Sequence, residues 1–392
     1  MANITNQIIS MLKIANRIKD VKEYYFSIKL KEVRALISSG KPIINMGIGS
    51  PDLNPPQEVI EAMRNSNVHG YQSYQGIPEM RLAMADFYKR YYAVNLDFEN
   101  EILPLMGSKE GILHISMAFL NPGDEVLIPN PGYPTYSSVT QLVEAAPVFY
   151  SLKENNNWWP DFDALEKLNL SKVKVMWVNY PHMPTGSNGN KELFEKLIAF
   201  GNKHDILIVN DNPYSFILNE QPLSILSLDG SKEVAIELNS LSKTFNMSGW
   251  RVGMVVGNQQ LLSAILKVKS NMDSGMFYGI QKGAVKALNL PGNWFVEMNA
   301  IYEKRRAVIW EICDQMGCSY DKNSTGLFVW AKLPENRSSS EVTDRLLYDF
   351  DVFVTPGTIF GTEGEGYIRF SLCIEEDKIK EVQRRLKKYK WR

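Results

Sequence analysis

Val173-Lys-Val-Met-Trp-Val178, the stretch from Lys191 to Lys203, and Ile206-Leu-Ile-Val209 read in turn as strand, helix and strand. Both strands are short apolar runs with no polar face to give to water. Such strands need cover on both sides, which a parallel sheet flanked by crossover helices provides. The same alternation extends outward, through Glu125-Val-Leu-Ile-Pro129, over residues from about 58 to 290. The expected fold class is therefore α/β, with a large domain whose mostly parallel sheet is flanked by helices.

The pattern changes beyond that stretch. A long helical segment from about Asn293 to Met316 is followed by sparse strands at Leu327-Phe-Val-Trp330, Val352-Phe-Val-Thr355 and Tyr367-Ile-Arg-Phe-Ser371, with helices between and after them. This predicts a smaller α+β domain. Residues 4 to 40 alternate apolar and charged positions at helical spacing and stop at Ser38-Ser39-Gly40-Lys41-Pro42. The expected division is an N-terminal arm with part of the small domain over 1–54, a large domain over 55–292 and a small C-terminal domain over 293–392. A length of 392 residues agrees with more than one core, since single cores stop growing near roughly 250–300 residues.

Composition removes several classes. With 44% hydrophobic and 22% charged residues the chain is neither disordered nor fibrous. A net charge of −1 with no long run of one sign argues against a nucleic-acid partner. Cys313, Cys318 and Cys373 show no CxxC spacing and read as buried thiols in a reducing compartment. No window reaches 18 uninterrupted apolar residues, and residues 1–7 lack the features of an export signal. The expectation is a soluble, cytoplasmic protein that engages no membrane.

The chemistry sits near strand ends, where open α/β sheets hold ligands. No Walker-type loop, no GxGxxG after a strand, no HExxH and no nucleophile elbow is present, and no metal is expected. After the apolar run Val234 to Leu238 comes Asn239-Ser240-Leu-Ser242-Lys243-Thr-Phe-Asn-Met-Ser248-Gly-Trp-Arg251-Val-Gly253. A lysine just past a strand is held partly desolvated, which lowers its pKa and makes its amine a Schiff-base nucleophile; Lys243 is the candidate. Arg251 lies eight residues on, flanked by hydroxyls at Ser240, Ser242 and Ser248, a set suited to a phosphate. Asp211, at the end of Ile206-Leu-Ile-Val-Asn210, suits a pyridinium nitrogen, and Tyr214 a phenolic oxygen on the same ring. Taken alone, the last two would be an ordinary strand-to-loop turn.

Together these motifs resemble the class I/II aminotransferases of the pyridoxal phosphate-dependent fold-type I superfamily. Nearly every landmark of that family has a counterpart, in order, from Gly49 to Ser371. It implies pyridoxal 5'-phosphate as cofactor and transamination between an L-amino acid and a 2-oxo acid, in a ping-pong cycle on Lys243. It further implies that the Gly49 backbone approaches the substrate carboxylate, that Gly107, Ser108 and Lys109 hold the cofactor phosphate at a helix start, and that Tyr133 stacks on the pyridine face. Arg369 matches the arginine of the substrate α-carboxylate, and Tyr71 the tyrosine that reaches the cofactor phosphate of the other subunit of a homodimer. In His182-Met183-Pro-Thr-Gly186 a methionine stands where the family has an asparagine that donates to the cofactor ring oxygen.

Two other readings use the same residues. A β-lyase acting on sulfur amino acids would share the lysine, and a regulator that binds the cofactor without turnover would share the pocket. An arm of about 40 residues is too short for a DNA-binding module with its linker, and no basic recognition helix is present. Tyr24-Tyr-Phe26, placed at the mouth of the site, points to a neutral or bulky amino-acid substrate; a packed helix face accounts for it equally well.

Overall fold

The computed structural model describes residues 13–19, 21–335 and 337–391. Its strands, in chain order, are β1 (Ile44–Asn45), β2 (Ile102–Leu105), β3 (Glu125–Asn130), β4 (Ala146–Ser151), β5 (Val173–Val178), β6 (Leu207–Asp211), β7 (Ala235–Ser240), β8 (Gly253–Gly257), β9 (Phe328–Lys332), β10 (Val352–Phe353), β11 (Thr355–Pro356) and β12 (Tyr367–Ser371). Seven of them form one sheet in the order β2-β8-β7-β6-β5-β3-β4. Every pairing in it is parallel except those of β8, which runs against both neighbours.

The apolar runs are explained by what covers them. Met176, Val178 and Ile208 pack on one face with Met80 and Met84 of the helix Pro78–Tyr92 and with Leu193 and Leu197 of the helix Lys191–His204. Val175, Trp177 and Val209 alternate onto the other face, against Ile112 and Ile115 of the helix Ser108–Phe119 and Leu262 and Ile265 of the helix Gln259–Lys269. Both faces are thus closed to water, as the continuous hydrophobicity of these strands requires.

The C-terminal strands form a separate three-stranded antiparallel sheet, β11-β12-β9. Val329, Ile368 and Phe370 of that sheet share a core with Ile309 and Ile312 of the helix Asn293–Gln315 and with Ile379 and Val382 of the helix Glu376–Leu386. Ile44 and Met46 join this core because β1 pairs in parallel with β10. The Arg305 guanidinium fastens the next turn of chain, donating to both oxygens of Asp52 at 2.7 and 2.8 Å.

Three expectations are corrected. The run Val352 to Thr355 is not one strand: it divides at Val354, because β10 pairs with β1 and β11 with β12, in different sheets. The helical segment expected over 4 to 40 narrows to a helix at Tyr25–Ser38 after a single turn at Asn16–Ile18, while residues 1–12 lie outside the described residues. Cys313 and Cys318 are buried but Cys373 is only half-buried, and all three are free thiols. No helix among the described residues is long and apolar enough to cross a membrane.

Ile208 is fully enclosed between the sheet and its covering helices. Ile208→Ala is expected to lower the unfolding free energy by about 2–5 kcal/mol, the usual cost of such a truncation in a rigid core. A shift of the urea midpoint to lower concentration, at unchanged slope, checks it.

Candidate active site

Parallel strands present their C-terminal ends on one side, and the polar residues beyond those ends converge there. Asp211 closes β6, Lys243 sits in the turn Leu241–Thr244 that follows β7, and Tyr133 lies just beyond β3. On the near side of β8, the segment after β2 leads through Gly107 into the helix Ser108–Phe119. These ends wall a cavity of about 530 Å³. It brings together Lys243, Asp211, Tyr214 and Tyr133 with Ser108, Lys109, Ser240, Ser242 and Arg251, and Gly49 and Arg369 line its other side.

Asp211 carries the clearest sign of a missing partner. Its Oδ2 accepts the Tyr136 hydroxyl at 2.8 Å, while Oδ1 is buried with no hydrogen-bond partner among the described residues. Burial raises its pKa to about 7, and the nearby buried Glu237 pushes the same way. Tyr136 is held by stacking on Trp177, with 4.9 Å between ring centroids. Its ring also meets that of Tyr133 edge-on at 5.5 Å.

Lys243 donates from Nζ to the carbonyl of Gly49. Burial in the cavity wall lowers its pKa, and the guanidinium charges of Arg369 and Arg251 add to the effect. Arg369 is a buried cation with no carboxylate partner among the described residues. Nη2 donates to the Gly47 carbonyl at 2.8 Å, Nη1 stands 3.3 Å from the Met183 sulfur, and Nε has no partner among the described residues. The rings of Phe328, Phe360 and Phe26 enclose the guanidinium at 3.9, 4.7 and 5.6 Å. This burial lowers its pKa to about 10, so it stays charged at neutral pH.

The opposite end is built for an anion. Gly107 has φ +88°, and a Cβ there would come within 2.2 Å of Arg251 Nη2, so only glycine lets the helix start and the guanidinium approach. Arg251 itself has φ +57°, and its Nη1 donates to the Ser248 carbonyl at 2.9 Å. The Ser248 hydroxyl, expected beside Arg251, instead meets that of Ser50 at 3.2 Å. The Ser240 and Ser242 hydroxyls pair at 2.8 Å. Lys109 projects its ammonium over the Tyr24 ring at 4.4 Å, with its pKa lowered by burial and by the Arg251 charge.

One expected residue stands apart. Tyr71 is 92% exposed and does not line the cavity of its own chain. Other residues of the cavity were not singled out by sequence reasoning. Tyr136 lies three positions after Tyr133, but only its pairing with Asp211 gives it a role. Asn179 donates from Nδ2 to the Asp211 carbonyl and accepts the Met183 N–H at 2.8 Å, so it fixes the backbone on both sides. Met183 does line the cavity, with its sulfur turned to Arg369.

A phosphate, an aromatic ring nitrogen and a carboxylate fit the positive helix start, the orphaned Asp211 oxygen and the unpaired Arg369 in that order. Comparison with known proteins agrees. The family model described as aminotransferase class I and II matches residues 41–386. The LL-diaminopimelate aminotransferase of Aquifex aeolicus is 39% identical over 97% of this chain and 100% of its own. The apo structure of BacF from Bacillus subtilis superimposes with a TM-score of 0.92 at 34% identity, covering 96% of this chain and 98% of that one. An aminotransferase from Staphylococcus aureus does so at 0.87 and 32%, over 95% and 98%. The sheet is that of a pyridoxal 5'-phosphate-dependent transferase of fold type I. Within that class the chain belongs to the class I and II aminotransferases, enzymes that transfer an amino group between an amino acid and a 2-oxo acid. Neither β-elimination nor cofactor binding without turnover is favoured by these relatives.

The raised pKa of Asp211 has a measurable consequence in the cofactor-free protein. The folded state prefers the protonated form, so its contribution is full below the unfolded value near roughly 4 and is lost as pH rises through about 7. Asp211→Asn escapes that loss. Its melting temperature relative to the parent is therefore expected to climb by several degrees between pH 4 and pH 8; a gap that does not change with pH would contradict the assignment.

Proposed function

We propose that the cavity binds pyridoxal 5'-phosphate through the residues gathered around it and transaminates a neutral, bulky L-amino acid with a 2-oxo acid. The orphaned Oδ1 of Asp211 carries the reading, because a buried carboxylate of raised pKa is matched by a protonated ring nitrogen. Gly107, Ser108, Lys109, Ser240, Ser242 and Arg251 hold the phosphate, Tyr133 covers the ring face and Tyr214 donates to its phenolic oxygen. When bound, the cofactor supplies an aldehyde carbon for imine formation and a ring that accepts electron density.

The chain's own groups then divide the work. Arg369 takes the substrate α-carboxylate, which gives its guanidinium the anion it lacks and turns the substrate to present its Cα proton. Lys243 Nζ removes that proton and returns one, and its lowered pKa enlarges the fraction of neutral amine available to do so. Asp211 holds its charge opposite the ring nitrogen throughout. The Gly49 carbonyl steadies the Lys243 amine between turnovers.

The substrate class is supported by the cavity lining, where Tyr24, Phe26, Ile48 and Phe360 present apolar surface and Asp211 is its only carboxylate among the described residues. A second reading is favoured by one side chain. Lys109 has no carboxylate partner among the described residues, and the Aquifex aeolicus relative is named for LL-diaminopimelate, which bears a second carboxylate and a second ammonium. Phenylalanine, leucine and LL-diaminopimelate, each assayed as donor to 2-oxoglutarate, separate the two; turnover of LL-diaminopimelate alone overturns the neutral class.

A cytoplasmic homodimer completes the proposal. The exposed rings of Tyr71, Tyr74 and Phe277 and the exposed Met272 supply apolar surface for a second copy, and Tyr71 then reaches the phosphate of the partner's site.

Lys243→Ala is expected to leave the fold intact and remove nearly all turnover. Borohydride reduction of the loaded parent enzyme, followed by peptide mapping, should find the cofactor's mass on the Lys243 peptide and on no other. Arg369→Lys replaces a planar fork by a point charge, with an expected loss of roughly 1.5–3 kcal/mol, or about 10- to 150-fold in kcat/KM. Unchanged kcat/KM for every accepted amino acid would show that Arg369 has no part in substrate binding.

A further inference from the structure

Behind the helix start that faces the cavity lies a second, buried group of charges. Glu110 and His114, one turn apart on the helix Ser108–Phe119, meet Asp273 so that their oxygen and nitrogen atoms lie within 4.8 Å of one another. His114 Nε2 stands 3.5 Å from Glu110 Oε1, while Nδ1 of His114 and Oδ2 of Asp273 are buried without a hydrogen-bond partner among the described residues. Two carboxylates and an imidazole would suit a divalent cation, but the place is taken. The ammonium of Lys269, only 1% exposed, stands 2.9 Å from Asp273 Oδ1 and supplies the positive charge.

This cluster reaches two functional segments. On one side Glu110 Oε2 accepts the N–H of Met106 at 2.8 Å, the residue before Gly107. On the other, Lys269 Nζ donates to the Tyr74 carbonyl at 2.8 Å, and Asp273 Oδ1 accepts the Gly275 N–H at 2.8 Å. Gly275, at φ +84°, passes so close beneath the Tyr71 loop that a Cβ would come within 2.6 and 2.8 Å of the Gln72 and Ser73 carbonyl oxygens. The loop therefore rests on the ion pair directly, through the Tyr74 carbonyl on Lys269, and indirectly, through the Gly275 backbone that Asp273 holds against it.

We propose that the buried Lys269–Asp273 pair is a positioning element for Tyr71, and that Glu110 and His114, whose polar atoms approach Asp273 within 4.8 Å, bring the chain's own helix start within electrostatic reach of that pair. In a dimer this links the loop serving one site to the anion cradle of the other. The proposal rests on the reading that Tyr71 contacts the partner's cofactor phosphate. Lys269 and Asp273 touch neither substrate nor cofactor; they act by holding the backbone that carries the tyrosine.

A double-mutant cycle on the full-length protein tests it, read as the Kd for pyridoxal 5'-phosphate by absorbance titration of cofactor-free enzyme. Tyr71→Phe and Lys269→Gln are each expected to raise Kd by about tenfold, and the double variant by clearly less than the product, since both act through one contact. Sedimentation velocity and melting temperature of each cofactor-free variant report folding and dimer formation separately. Should Lys269→Gln not fold, Asp273→Asn, which keeps an acceptor for the Gly275 N–H, takes its place in the cycle. Fold-changes that multiply, or a Kd unmoved by Lys269→Gln while Tyr71→Phe raises it, overturn the positioning role alone. A Kd unmoved by Tyr71→Phe overturns the reading of Tyr71 itself.

Discussion

A sheet buried on both faces leaves its polar chemistry one outlet, the ends of its strands. Along β5, β6 and β7 most side chains belong to one hydrophobic layer or the other; Lys174 is exposed, and the buried Asn210, Glu237 and Asn239 are held in hydrogen bonds with one another or with Tyr88 and Tyr92. Asp211 closes β6, and Lys243 comes three residues past the end of β7. Because these strands are parallel, their ends coincide in space and residues far apart in the chain share one cavity. The reversal at β8 adds Arg251 to the same rim, since the chain must pass over the end of β7 before it runs back.

The cavity assembled this way is electrostatically unfinished. Asp211, Lys243 and Arg369 are ionisable groups withdrawn from water, and none has an ion-pair partner among the described residues; burial disfavours the charged form of each. Keeping such a group charged and unpaired in a protein interior costs several kcal/mol. A rigid scaffold sustains this, and ligands with complementary charge recover part of it on binding. The site is thus poor for the stability of the empty protein and well prepared for binding, a trade usual where function sets the residues.

Much of this was legible from local pattern. Val173–Val178 occupies the strand that its composition predicts, and Lys191–His204 differs by one residue from the helical segment expected there. Of the candidate residues, all but Gly107 and Tyr71 line one cavity, because strand-end motifs inherit their neighbourhood from the parallel sheet. What could not be read depends on pairing across long separations. The division of Val352 to Thr355 between two sheets is set by partners at Ile44 and Arg369. Tyr136 gains its meaning from an acid 75 positions away, and Lys269 from a carbonyl 195 positions away.

The bidentate tie from Arg305 to Asp52, together with the pairing of β1 with β10, attaches the segment around Gly49 to the C-terminal core on which the strand bearing Arg369 also packs. The groups proposed for the phosphate and the ring stand on the seven-stranded sheet instead. The proposed substrate grip and cofactor grip therefore belong to different pieces of architecture. Selection on the amino acid accepted can act on one piece without disturbing the other, so that descendants of such a scaffold diversify in diet while the prosthetic chemistry stays put.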